Sequence, residues 1–446
     1  MWSSRLAFIL AATGSAVGLG NVWRFPYVTA ENGGGAFVLI YLACIAVIGL
    51  PIMIAEIMMG RHGRRSPINT LRIVAREAGG RSWWQLIGWA GLLAAVLILS
   101  FYSVIAGWTL HYVGSYIGGL FSAGPGITDP EATFGGLLAS PWTLLGWHTL
   151  FMGLTFGVVA AGVEEGLERA VRYLMPAFFL LLVALVGYGM STGYFGHAIA
   201  FLFTPDFGRL TWETVVQAMG QAFFTLSLGM GAIMAYGAYL PHNISAARTG
   251  TVVAASDTAV AIIAGLAIYP IMFANGQPLG ESGPGLIFQA LPLAFAGMGF
   301  AGEIYAILFF SLLVVAAWTS AISLMEPVTA YLVESHNRTR RQAAGIMAAA
   351  TWLLGILSVL SSNLLSDVSV LGRGLLDLKD YIASNLLLPL GGLGVALFAG
   401  WAMKQHTTRA ELSAISDRTY ALWRFVVRFV APILVAIIFV MKVGEL

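Results

Sequence analysis

Two glycine-dense stretches hold the residues of this sequence best suited to chemistry. The first is Gly14-Ser15-Ala16-Val17-Gly18-Leu19-Gly20-Asn21; the second is Thr225-Leu226-Ser227-Leu228-Gly229-Met230-Gly231. Both interrupt long apolar runs. Glycine in a helix interior costs about 1 kcal/mol relative to alanine, so clustered glycines mark places where a helix opens and frees its peptide groups. Gly14 and Gly18 also fit the spacing by which helices pack closely, and alone that reading would be favoured. The two stretches lie five spans apart, an odd offset that reverses topology, and they carry Asn21, Thr225 and Ser227. Interrupted helices at matching places in two halves point to an inverted-repeat transporter with its binding site between the breaks. Asp257, Glu56 and Glu326 add carboxylates inside apolar runs, and such costly groups are functional candidates by default. The seven histidines show no metal-ligand spacing. No nucleophile, base or metal constellation is visible, so an enzyme is the least expected class.

The elements that must position these residues are membrane helices. Of 446 residues, 58% are hydrophobic and only 10% charged, and mean hydropathy is +0.83. A globular chain carries about 25% charge. This surface cannot face water, which also excludes disorder, a coiled coil, a secreted disulfide scaffold and nucleic-acid binding. The single cysteine, Cys44, lies in an apolar run and reads as a buried free thiol. In lipid only helical bundles and closed barrels satisfy the backbone, and the apolar runs are long and continuous rather than alternating. Spans are predicted near 6–28, 36–59, 84–118, 143–161, 171–190, 212–239, 249–274, 299–334, 343–362, 381–403 and 422–442. The first follows too closely on Met1 for a signal peptide.

Basic residues orient the bundle. Arg61, Arg64, Arg65, Arg72, Arg76 and Arg81 follow the second span, Arg338, Arg340 and Arg341 the eighth, and Lys404, Arg409, Arg418 and Arg424 the tenth. The opposite loops hold only Arg209, Arg373 and Lys379. The positive-inside rule puts the N-terminus in the cytoplasm, and eleven spans then put the C-terminus outside a plasma (inner) membrane. The loops 119–142 and 275–298, rich in Gly, Pro and Ser, are expected to cap the outer face.

The run from Gly14 to Tyr27, followed by Glu31-Asn32-Gly33-Gly34-Gly35-Ala36-Phe37, resembles the first-helix signature of the neurotransmitter:sodium symporters. The resemblance continues through Gly49-Leu50-Pro51, Glu56, Gly60-Arg61, the run Gly220 to Ser227, Trp318-Thr319-Ser320-Ala321 and the Gly-Gly after Pro389. It implies an all-α membrane protein of the LeuT-type fold. Two inverted five-helix repeats would occupy 1–190 and 191–403, with one extra helix in 404–446.

The resemblance also implies a site. One sodium would take the carbonyls of Gly14, Val17 and Ala316 with the hydroxyls of Thr319 and Ser320; back-bonding of those hydroxyls to their own helix is the simpler reading of the residues alone. A second sodium would take Ala16, Asn21, Thr225 and the residue at 257, completed by a substrate carboxylate. Asp257 stands where the family usually has asparagine, and the chloride-site serine of chloride-dependent relatives is Ala261 here. Asp257 is therefore expected to ligate sodium and make chloride unnecessary, the alternative being a protonated, backbone-bonded Asp. The substrate carboxylate would meet the N–H groups of Gly18, Leu19 and Gly20 and the phenol of Tyr102. The ammonium would meet Ala16, Phe224, Thr225 and Ser227, beside Ser15. Ile98, Phe224, Met230 and Leu324, with Ser320 at the edge, would form an uncharged side-chain pocket.

Gates complete the expectation. Arg24 would pair with Asp380 over a lid of Tyr102 and Phe224, and Trp2, Tyr239 and Glu334 would close the cytoplasmic side, with Arg5 a substitute for the basic residue missing before Trp2. Gly166 and Pro176 match a fifth-helix motif for unwinding, although Pro176 also fits a static kink. Glu56 and Glu326 read as partners for interrupted backbone, and Glu164, Glu165 and Glu168 with Arg169 and Arg172 as a solvated face. The chain is thus expected to be a sodium-coupled importer of a neutral, apolar amino acid, as a monomer or homodimer. Another zwitterion, such as a β- or γ-amino acid, would fit the same site. A sensor of the same fold is disfavoured by the lack of an appended signalling domain, and a channel by the gates and the lack of a continuous polar stripe.

Overall fold

The structure is a computed structural model that describes residues 5–121, 126–276 and 286–444; Trp2 and the turn at Gly283–Gly285 lie outside them. Nine continuous helices among the described residues are long and apolar enough to cross a membrane. In chain order they are α2 (Gly35–Gly63), α3 (Ser82–Phe121), α4 (Pro141–Ala160), α5 (Gly166–Ser191), α7 (Ala246–Ala274), α8 (Phe300–His336), α9 (Arg340–Leu360), α10 (Leu375–Ala402) and α11 (Asp417–Met441). Two further passes are broken. α1 runs Arg5–Ala16, opens at Val17 and Gly18, and resumes through Gly20–Arg24 and Phe25–Glu31. α6 runs Trp212–Thr225 and resumes at Ala232–Ala238.

The break in α6 follows from its residues. Ser227, Gly229 and Gly231 all adopt positive φ, at 54°, 78° and 78°, which a right-handed helix does not allow. The opened segment presses on α10 backbone to backbone: a β-carbon at Gly229 would lie 2.3 Å from the Leu388 carbonyl oxygen. The Gly391-Gly392 pair on α10 makes room for it, since a β-carbon at Gly391 would meet the Gly229 oxygen at 2.2 Å. Glu56 on α2 then accepts from the freed Gly229 N–H at 2.8 Å, meeting the demand of a broken helix for a partner.

The long helices α3 and α8 pack along each other, and α9 lies against α3 and α4. Side chains such as Leu180 and Val183 on α5 and Val440 on α11 are exposed on the outside, as lipid-facing positions are. At one end the loops fold over the bundle. The helix Pro130–Ala139 brings Phe134 onto Phe288, ring centroids 5.3 Å apart and nearly parallel, and Tyr112 donates to the Phe288 carbonyl at 2.6 Å.

Two local expectations change. Glu168 is buried rather than solvated and pairs with Arg172 at 2.9 Å, because the wide helical turn Val163–Glu168 tucks it inward. The segment around Gly166 is wound, and Pro176 sits inside a continuous helix Arg169–Ser191.

Candidate binding site between the broken helices

The openings in α1 and α6 face each other and are tied by side chains. Ser227 donates to the Ser15 carbonyl at 3.0 Å. Gln221, fully buried, donates to the Gly20 carbonyl at 2.7 Å. Between them lies a constricted cavity of about 20 Å³, lined by Ser15, Ala16, Gly18, Gly20, Ile98, Tyr102, Phe224, Thr225, Ser227, Met230, Ser320 and Leu324. Its polar part is peptide and hydroxyl oxygen, and its apolar part comes from α3, α6 and α8. Among these lining residues none is charged. Gly18 is glycine for a steric reason: a β-carbon there would lie 2.4 Å from Ser320 Oγ and 3.1 Å from the Tyr102 hydroxyl.

The peptide N–H groups at the α1 break are not all available to a ligand. Gly18 N–H donates to Asn21 Oδ1 at 2.9 Å, and Leu19 N–H to the Tyr102 oxygen at 3.3 Å. An opened helix end finds internal acceptors first, so a carboxylate reaching these two groups would have to displace those acceptors. Leu19 is absent from the cavity lining.

Beside the cavity the structure brings together two oxygen clusters. Asp257 is fully buried; Asn21 Nδ2 donates to its Oδ1 at 2.8 Å and to its carbonyl at 3.0 Å. Thr225 Oγ1 donates to its carboxylate at 3.0 and 3.1 Å. Among the described residues no Arg, Lys or His is within ion-pair distance of this carboxylate. A buried charge without a counter-ion is strongly disfavoured, which makes this carboxylate, if ionised, a candidate cation ligand. In the second cluster Ser320 Oγ lies 3.3 Å from the Val17 carbonyl and 3.4 Å from that of Ser15. Thr319 Oγ1 donates to the Ala316 carbonyl at 3.0 Å, the back-bonding its helix offers. Gly14 borders the same spot, its would-be β-carbon 3.5 Å from Thr319 Cβ. These are hard oxygen donors of the kind that alkali and alkaline-earth ions take.

Above the cavity opens a vestibule of about 440 Å³, lined in part by Arg24, Tyr102, Phe224, Asp377 and Asp380. Tyr102 and Phe224 border both spaces and form the partition between them. Arg24 and Asp380 are not paired. The Arg24 guanidinium lies over the Phe224 ring, 4.8 Å from its centroid, while Asp380 accepts from Ser384 at 2.7 Å. The open vestibule keeps the two walls apart.

At the opposite end Tyr239 and Glu334 meet partners among the described residues that the sequence did not mark, and Trp2 lies outside those residues. Tyr239 donates to Glu326 at 2.7 Å, and Arg340 forks onto the same carboxylate at 2.5 and 3.1 Å. Glu326 is thus half of an ion pair and not a backbone partner, because the α8–α9 turn returns Arg340 to it. Glu334 accepts from Ser66 N–H at 2.9 Å and Asn69 at 2.9 Å instead of meeting Tyr239. Sequence reading missed Arg340 and Gln221 as site residues. Gln221 lies inside the run Gly220–Ser227 that carries the resemblance, whereas nothing in the spacing marked Arg340.

The sodium:neurotransmitter symporter family model matches residues 1–120 and 139–446. This chain belongs to that family. The sodium-dependent transporter YhdH of Bacillus subtilis is 37% identical over 451 residues, covering 100% of this chain and 98% of YhdH. A sodium-dependent transporter of Haemophilus influenzae is 34% identical, covering 98% of this chain and 97% of its own length. The crystal structure of MhsT in complex with L-phenylalanine superimposes with a TM-score of 0.91 at 44% identity, covering 99% of both chains. This family member accordingly has the all-α LeuT-type fold, two inverted five-helix repeats with a trailing helix, in a multi-pass membrane protein of a sodium-dependent transporter family.

Proposed function

We propose that this chain imports a neutral, apolar amino acid together with sodium by alternating access. The observation that carries the reading is the uncharged cavity between the two helix breaks, set directly against the buried Asp257 cluster. A substrate brings a carboxylate and an ammonium. The ammonium meets carbonyl oxygens of the α6 break, and the carboxylate joins the shell of a sodium held by Asp257, Asn21, Thr225 and the Ala16 carbonyl. A second sodium is held by Gly14, Val17, Ala316, Thr319 and Ser320. Coupling follows because ion and substrate share a ligand, so each favours the protein state that binds the other. Ile98, Phe224, Met230 and Leu324 leave a charged side chain without a partner and so reject it.

A cavity of about 20 Å³ holds little more than one water centre. Substrate therefore needs the Tyr102–Phe224 partition to move and the pocket to widen. Arg24 and Asp380 close the vestibule in that step, and the Tyr239–Glu326–Arg340 network opens for release. The vestibule is the outer face and the N-terminus cytoplasmic, as the arginine-rich loops favour. The halves divide near 190 and 403. Asp257 supplies the negative charge, so chloride is not required. That MhsT was crystallised with L-phenylalanine supports an amino acid as cargo.

Binding of the twenty amino acids to purified protein, with sodium or with choline, tests the reading. Apolar neutral amino acids are expected to bind only with sodium, and Asp, Glu, Lys and Arg not at all. Sodium-independent binding, or preference for a charged side chain, overturns it.

A further inference from the structure

Far from the transport site, the start of α11 and the preceding loop enclose a second polar cavity, of about 480 Å³. Three guanidiniums converge on it: Arg409, Arg424 and Arg428. The only carboxylate in its lining is Asp417, whose side chain is 92% exposed and pairs with Arg409 at 2.7 Å. Arg424 is held by neutral groups, donating to Tyr420 at 3.1 Å and Thr408 at 3.2 Å. The Arg428 guanidinium lies over the Trp401 indole, 3.8 Å from the ring centroid. Its buried Nε has no hydrogen-bond partner among the described residues. Neither Arg424 nor Arg428 has a carboxylate within ion-pair distance among the described residues.

An unpartnered buried guanidinium N–H costs free energy unless an acceptor meets it, and an excess of two positive charges in a cleft draws an anion. The planar fork of arginine matches a phosphate group in particular. The surroundings say where that phosphate comes from. Trp401, Phe425 and Phe429 are 52%, 55% and 40% exposed around the cavity. These are aromatic side chains at the foot of an apolar span, the arrangement of a membrane–water interface. Basic pockets between transmembrane helices at that depth bind acidic head groups. We propose that Arg409, Arg424 and Arg428 form a binding site for the phosphodiester of an anionic phospholipid, whose acyl chains run along the exposed face of α11.

Purified, delipidated full-length protein is titrated with short-chain phosphatidylglycerol, phosphatidylcholine and inorganic phosphate, and binding is read by thermal shift and native mass spectrometry. Phosphatidylglycerol is expected to bind saturably and at least about tenfold more tightly than phosphatidylcholine. Each interfacial arginine contributes on the order of fivefold, so Arg424→Gln with Arg428→Gln weakens phosphatidylglycerol at least about tenfold. Sodium-stimulated amino-acid binding serves as the check that this variant is folded. Asp417→Asn, which removes the competing carboxylate from an exposed position, tightens binding and decides the matter should the double variant fail to fold. Equal binding of the two lipids, or unchanged binding in the double variant or in Asp417→Asn, overturns the site. Inorganic phosphate binding as tightly as phosphatidylglycerol overturns its assignment to lipid.

Discussion

Asp257 is fully buried, and among the described residues its carboxylate takes hydrogen bonds only from Asn21 and Thr225. Neutral donors spread a charge but do not cancel it, and in a low-dielectric interior the remainder is expensive. The sodium ion proposed at this carboxylate would remove that cost, and a chloride beside it would restore repulsion. Transport is therefore expected to be unchanged when gluconate replaces chloride. Asp257→Asn should weaken sodium about tenfold, the effect of roughly 1.4 kcal/mol, read from the sodium dependence of amino-acid binding. Strong chloride dependence in the unsubstituted protein would refute the assignment.

At the level of elements, the break in α6 is fixed from both sides: by left-handed residues within it and by the α10 backbone behind it. Gly229 needs φ of 78° and has the Leu388 carbonyl where a β-carbon would go. Gly220, nine residues earlier in the regular part of α6, has nothing within 4 Å of that position. The same substitution should then act with opposite sign. Gly229→Ala is expected to destabilise by roughly 2–5 kcal/mol through strain and overpacking. Gly220→Ala should be neutral or stabilising by up to about 1 kcal/mol. Thermal unfolding in detergent measures both, and equal shifts would mean that the break is a passive kink.

For the whole molecule, the end opposite the vestibule is held by charge networks that join distant parts of the chain. Arg61 at the end of α2 pairs with Glu411 at 2.7 Å and also donates to the carbonyls of Ile244 and Glu411. His62 reaches Glu411 at 3.2 Å and Glu77 at 2.7 Å. Burial pushes the Glu411 carboxyl up, but the His62 hydrogen bond and the Arg61 charge outweigh it and hold it below the usual carboxylate range. A depressed folded-state value means stability that is fully present above the ordinary carboxylate range and lost as pH falls through the lowered value. Acidification from about pH 7 to about pH 3 should thus lower the melting temperature of the parent more steeply than that of Glu411→Gln. Parallel curves would show that Glu411 ties nothing together.

Composition and run length determined by themselves that this chain crosses a membrane many times, since lipid admits few alternatives for an apolar backbone. The glycine stretches located both breaks, because left-handed or opened backbone demands residues that tolerate it. Asn21, Thr225 and Asp257 were legible as a group only through resemblance: they lie on three separate helices, and no spacing within one helix connects them. Which partners the charges choose was decided by the tertiary structure alone. Glu326 meets Arg340 and Tyr239, Glu334 meets Ser66 and Asn69, and Arg24 turns to Phe224 instead of Asp380. Long side chains reach several candidates at similar cost, so packing angles and the open vestibule select among them, and neither is written in local sequence.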